Sequence, residues 1–245
     1  GTTTEELRSL TEWLSDSKCQ MIAMESTGSY WKPLYNIFEL SSLAAIVVNA
    51  RDMRNVPGRK TDIKDAEWIA DLLQHGLLRA SYIPNREQRE LRELSRYRKS
   101  LIEERARELN RLQKMLEGGN IKLASVVSDI NGRSARNLLT NKQKRETSVT
   151  KEEVSTCVRG RLRHKVESIM KALDGFLTPL QKQLMLKVVD HIDDMTKRIG
   201  EMDDLMNQYL TEYHEAIQKL DEIPGIGRQS AETILAETGL DMSRF

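Results

Sequence analysis

Arg59-Lys60-Thr61-Asp62-Ile63-Lys64-Asp65-Ala66 sets two carboxylates three residues apart at the opening of an amphipathic helix, beside a basic loop. Thr61 is a suitable helix cap, and Asp62 and Asp65 then fall one turn apart on the same side. The spacing of Ile63, Ala66, Ala70, Leu73 and Leu77 predicts a buried stripe along this helix. The carboxylates therefore border the core, with Arg59 and Lys60 beside them to receive a phosphate. Such a pair suits a divalent cation, and it equally suits a helix start through the macrodipole, so the motif alone leaves both readings open.

A third carboxylate decides where to look next. Residues 19–24 read as a short apolar strand that delivers Glu25 at its C-terminal end, and Ser26-Thr27-Gly28 turns the chain. In open α/β sheets ligands bind outside the carboxyl ends of strands. A hard cation such as Mg²⁺ is held there by a few carboxylates plus water and phosphate oxygens. A second apolar run, 44–48, ends at Asn49, and a helix through Trp31, Leu34, Ile37 and Phe38 joins the two strands as a right-handed βαβ unit.

These residues resemble the DEDD transposases of insertion sequences, specifically the insertion-sequence one-hundred-and-ten family of bridge-RNA-guided recombinases. The resemblance is carried by Met24-Glu25-Ser26-Thr27-Gly28-Ser29-Tyr30-Trp31, by Pro57-Gly58-Arg59-Lys60-Thr61-Asp62 with Asp65-Ala66, and by Glu90-Leu91-Arg92-Glu93-Leu94-Ser95-Arg96-Tyr97-Arg98. It implies a RuvC-like, ribonuclease-H-type α/β domain in which Glu25, Asp62 and Asp65 are the second, third and fourth acidic metal ligands. The first ligand, an Asp on an opening strand, has no counterpart after Gly1-Thr2-Thr3-Thr4, so the domain is expected to lack its first strands here. The resemblance further implies Mg²⁺, DNA as donor and target, a guide RNA, and a serine nucleophile in a later domain. Neither Ser230 nor Ser243 matches that serine, and the fragment alone is expected to be inactive.

Composition is compatible with an intracellular, mainly helical protein of several parts. Cys19 and Cys157 lie far apart and the four histidines form no ligand-spaced cluster with them, so neither a disulfide framework nor zinc is expected. No apolar run reaches the roughly 20 residues of a membrane span, the start is not a signal peptide, and a cytoplasmic location is expected. The formal charge of +1 conceals an asymmetry: residues 133–165 hold ten Lys or Arg against three Glu, and residues 190–245 hold five against thirteen acidic residues. A polybasic middle fits a phosphate-backbone partner through counterion release, with Arg159, Arg161, Arg163 and Lys165 as the contacts. Their alternating positions would spread them around a regular helix.

Beyond Pro84 the pattern turns to long polar helices, the first over 86–117 with Gly118-Gly119 as its stop. Met185, Val188, Ile192, Met195, Ile199, Met202, Met206 and Tyr209 recur at spacings of three and four. That is a coiled-coil seam, and its apolar knobs require a partner helix, either the 86–117 helix folding back or the same helix of a second subunit. The family resemblance favours a dimerisation arm, hence a homodimer or higher oligomer.

Finally, Leu220-Asp221-Glu222-Ile223-Pro224-Gly225-Ile226-Gly227-Arg228-Gln229-Ser230-Ala231 fills the positions of a helix-hairpin-helix DNA-binding pattern. Leu220 and Ile223 close the first helix, and Gly225 and Gly227 allow a tight turn close to a ligand. The amides at the second helix start, beside Arg228, form a phosphate site. The expected organisation is a partial RuvC-like domain over 1–85, a helical coiled-coil region over 86–215 and the start of a second domain over 216–245. The expected activity is metal-dependent DNA strand cleavage and exchange by a transposase. A RuvC-like nuclease or Holliday-junction resolvase, and a non-catalytic coiled-coil nucleic-acid-binding protein, are the alternatives.

Overall fold

A computed structural model describes residues 1–41, 43–49, 62–144 and 149–244. The chain divides into two units, Gly1–Asn85 and Arg86–Ser243.

The first unit opens with α1, Thr4–Asp16, started by a capping box in which the Thr3 hydroxyl receives the Glu6 amide and the Glu6 carboxylate receives the Thr3 amide. Strand β1, Met21–Glu25, pairs in parallel with β2, Ala44–Val48, in the register Met21↔Ala44 to Glu25↔Val48. Helix α2, Trp31–Phe38, connects them. Parallel pairing requires such a crossover, because a tight turn can join only antiparallel neighbours. Leu7, Phe38, Leu43, Val47 and Val48 are buried and form the small core. After helix α3, Asp62–Gln74, the chain returns beside β2: Ala80 bridges Val48, and the Ser81 amide donates to the Val47 carbonyl at 2.7 Å.

The second unit is built on an antiparallel pair of long helices, α4 (Arg86–Gly118) and α8 (Pro179–Tyr209). Between them lie the shorter α5 (Arg133–Lys144), α6 (Lys151–Cys157) and α7 (Val166–Ala172). These pack at one end around Leu112, Leu116, Leu138, Ile169, Met185 and Ile192. At the other end α9, His214–Asp221, and α10, Arg228–Thr238, enclose a smaller core of Leu91, Met206, Ile217, Ala231 and Leu235.

Two expectations change here. Helix α4 runs through Gly118, and the left-handed residue that ends it is Asn120, at φ 57°. Gly119 serves a different need, since a Cβ there would lie 2.6 Å from Leu177 Cδ2 and 2.7 Å from the Phe176 carbonyl oxygen. The apolar seam of α8 is buried within the chain. Met185, Val188, Ile192, Met195, Ile199 and Met206 are covered, Met202 is half-buried and Tyr209 is exposed. The helix that faces α8 is α4: Arg98 pairs with Asp203, and further along Arg105 reaches Thr196. Folding back brings the partner at a high effective concentration, so this apolar face is satisfied without a second copy.

Candidate functional site

Glu25 stands half-buried at the carboxyl end of β1, where its Oε1 accepts a hydrogen bond from Thr27 Oγ1 at 2.6 Å. The turn that carries Thr27 passes through Gly28 at φ 53°, a left-handed conformation that glycine adopts without strain. Helix α3 brings its first turns to the same place. Ala66, Ile69, Ala70 and Leu73 line a cavity of about 430 Å³ whose other walls include all of β1, Glu25 among them, with Trp31 and Leu34 of α2. By helical spacing Asp62 precedes Ala66 on this face, and Asp65, which is half-buried, borders it.

The stripe expected along α3 is only partly realised. Ile63 and Leu77 are 72% and 70% exposed, and the β1-facing residues border an open cavity instead of a closed core. Arg59, Lys60 and Thr61 lie outside the described residues, and Asp62 is described in its helical backbone alone. Among the described residues no three His, Cys, Asp or Glu side chains are grouped as a metal site.

The basic segment forms a 3-10 turn, Gly160–Lys165, after the extended Arg159. Arg159, Arg161, Arg163 and Lys165 are all exposed. With three residues per turn, alternating positions radiate in different directions, so the charges make a knob and not a stripe. Lys165 Nζ donates to the Val126 carbonyl at 3.3 Å, and the three arginines form no ion pair among the described residues.

Between α9 and α10 the turn is open. Gly225 has φ 93°, and a Cβ at Gly225 or Gly227 would meet nothing within 4 Å. Ile226 packs partly against the small core, as does Leu220, whereas Ile223 is 46% exposed. Gly227 caps α10 through its carbonyl, which accepts from the Ser230 and Ala231 amides at 2.8 and 3.0 Å. It has no side chain to cover the first amides. Arg228 is engaged: its Nε donates to Glu232 Oε1 at 3.0 Å and its Nη2 to Asn207 Oδ1 at 3.2 Å.

A polar stripe on α4 that the sequence reading did not assign holds the far end of α10. Gln88 Nε2 donates to the Leu235 carbonyl at 2.8 Å and also to that of Ala236, Arg92 donates to the Glu237 carbonyl, and Arg96 grips the Glu237 carboxylate. The Tyr213 hydroxyl donates to Gln88 Oε1 at 3.1 Å and so fixes the amide's orientation. The signal was present as a four-residue spacing of polar groups, but nothing local names the acceptor.

Residues 1–121, spanning β1, β2, α3 and α4, match the family model of transposases of the DEDD type, IS110 group. By this segment the chain belongs to the IS110 family of DEDD transposases. Glu25, Asp62, Asp65 and the segment 90–98 all fall inside the match, and the 3-10 knob and the α9–α10 turn fall outside it. An IS110-type transposase acts on DNA, and the DEDD type implies dependence on a divalent metal in general. No curated protein matches the chain. Among the described residues no helix of this transposase is long and apolar enough to cross a membrane.

Proposed function

We propose that this chain supplies part of the machinery for metal-dependent cleavage and exchange of DNA strands during movement of an insertion sequence, with an RNA as guide. The observation that carries the reading is the convergence of Glu25 and the first turns of α3 on one cavity, within the segment that matches the transposase family. Glu25, Asp62 and Asp65 are hard oxygen donors suited to Mg²⁺. A cation so held supplies Lewis-acid polarisation of the scissile phosphate. Thr27 restrains one oxygen of Glu25 and thereby orients the other, and Arg59 and Lys60 approach the phosphate from the adjoining loop.

Nucleic-acid affinity is assigned to two surfaces outside the carboxylates. The α9–α10 turn acts as a helix-hairpin-helix element, in which Gly225 and Gly227 let a phosphate reach the free amides at the start of α10, next to Arg228. The knob of Arg159, Arg161, Arg163 and Lys165 adds charge that binds any sequence alike. Self-association into a homodimer or higher oligomer remains part of the proposal, but through surfaces other than the α8 face that α4 covers.

The test is a paired assay on the complete transposase that measures DNA binding and strand exchange separately. Asp62→Asn and Glu25→Gln should bind duplex DNA at least as well as the parent, because each removes negative charge near the phosphate path, and should lose strand exchange. Normal exchange by Asp62→Asn would reduce Asp62 to a helix cap and end the metal reading. Sequencing of RNA bound to the purified complex tests the guide, and sedimentation tests the oligomer. Strand hydrolysis by water without joining would favour the nuclease reading.

A further inference from the structure

We infer that Glu232 is an internal competitor for nucleic-acid phosphate: it holds Arg228 in reserve at the start of α10, and Arg98 of α4 compensates its charge when Arg228 leaves. The inference rests on the reading of the α9–α10 turn as a phosphate site and adds how that site is regulated.

The network has four charges that balance. Arg228 is 55% exposed and bonds Glu232 Oε1 through Nε at 3.0 Å. Glu232 is only 7% exposed, and its other oxygen lies 3.9 Å from Nη1 of Arg98, itself 6% exposed. Arg98 is anchored in turn by Nε on Asp203. The two outer members differ in freedom: Arg228 stands at the rim of the open turn, and Arg98 is fixed in the α4–α8 interface.

A carboxylate as buried as Glu232 cannot be stripped of every cation without a large penalty. Were Arg228 its sole partner, a phosphate could recruit that guanidinium only by stranding the carboxylate. Arg98 removes that obstacle. When Arg228 turns outward to a phosphate at the α10 amides, Glu232 still faces Arg98, and the guanidinium exchanges one oxyanion for another. An exposed ion pair is weak, whereas a backbone phosphate seated on the amides offers the arginine two oxygens in a fork geometry. The arrangement therefore releases Arg228 to a phosphate seated at the turn and withholds it from anions elsewhere. Asn207 accepts from the parked guanidinium and keeps it pointed away from the turn until then.

The experiment uses the chain Gly1–Phe245 with a random-sequence DNA duplex, measuring affinity by anisotropy across a range of KCl concentrations. Glu232→Gln should tighten binding roughly two- to fivefold, the strength of a partly exposed ion pair, and steepen the plot of log K against log salt by about 0.9, one added phosphate contact. In an Arg228→Gln background the same substitution should change the slope by nothing. An equal gain in both backgrounds would show a general field effect of the lost charge and overturn the proposal, as would no gain in either. Glu232→Asp, which keeps the charge toward Arg98 but shortens the reach to Arg228, serves as the second variant if circular dichroism shows Glu232→Gln to be unfolded, and is expected to shift the slope in the same direction; a slope like the parent's would overturn the proposal. Gly225→Val with Gly227→Val separates the two levels. If these leave affinity and slope unchanged, the turn is not a phosphate site and the underlying reading fails. If they weaken binding and Glu232→Gln shows no Arg228-dependent change, the competitor alone fails.

Discussion

Arg96 and Glu237, 141 residues apart in sequence, meet at two points: Nε to Oε1 and Nη2 to Oε2, each at 2.8 Å. This fork sits where α10 ends. With Gln88 and Arg92 of α4 on the Leu235, Ala236 and Glu237 carbonyls, it gives the helix a terminus made by another helix, satisfying groups that would otherwise lack partners. The cationic side chains also complement the negative end of the macrodipole.

The hydrogen bond from Arg96 is the main reason the Glu237 carboxyl is held below its ordinary range, and Arg96 is raised in return. A lowered folded pKa means that the unfolded chain binds the proton more readily. The stabilisation is then complete above the ordinary carboxylate range and disappears as pH falls through the lowered value. Glu237 is partly exposed, so the effect is modest. Arg96→Gln should lower the melting temperature at about pH 7 by a few degrees at most, and the gap to the parent should close at about pH 2. A gap of the same size at both pH values would show that the pair does not act through charge.

The α8 face tests the assignment of its partner. Ile192 is fully buried against the core that α4 completes, and Ile192→Ala should cost about 2–5 kcal/mol. Because the partner is in the same chain, urea midpoints of parent and variant should be independent of protein concentration over about a hundredfold range. A midpoint that climbs with concentration would return the seam to an interface between subunits.

Lys142 is a buried lysine of α5, and burial pushes its pKa down, opposed by Asp174 and reinforced by Lys182. The folded state therefore gives up the proton before the unfolded chain does, so stability rises with pH between the depressed value and the ordinary lysine range. Lys142→Met, which keeps the aliphatic stem, should raise the melting temperature near neutral pH, with the advantage shrinking as pH climbs through that window. An advantage that does not vary with pH would mean that the charge carries no cost at this position.

Two glycines should respond with opposite signs. Gly119→Ala would drive a Cβ against Leu177 and the Phe176 carbonyl and should destabilise by about 1–3 kcal/mol. Gly200 lies in the interior of α8 with open space around it, so Gly200→Ala should stabilise by about 0.5–1 kcal/mol. Thermal melts of the two variants check both, and stabilisation by Gly119→Ala would contradict the close approach seen at the end of α4.

Much of the local structure was legible from residues a few positions apart. The apolar run 44–48 is β2, and the run before Glu25 is β1, displaced by two residues at its start because Cys19 and Gln20 still belong to the turn after α1. Thr178-Pro179 with Gln181 starts α8 as a capping box with proline at the first position, and the three-four spacing marks its buried face. The basic stretch was legible as charge but not as shape, since Gly160 at φ 55° breaks the helix before Arg161. Among the carboxylates, chain order and strand polarity located Glu25, but they carried no information on how closely α3 would approach.

Pairing between distant segments was a different matter. Periodicity and capping are set by interactions within one or two turns, so a short window of sequence contains both partners. An apolar face such as that of α8 is compatible with many partners of similar hydrophobicity, and only the closed chain selected α4. The arginines at 92, 96 and 98, spaced along one helix in a protein that acts on DNA, carry no local mark separating a phosphate contact from an internal ion pair. It was the tertiary fold that placed Glu237, Glu232 and Asp203 against them, because the worth of a charge depends on the burial and sign of neighbours supplied from more than a hundred residues away.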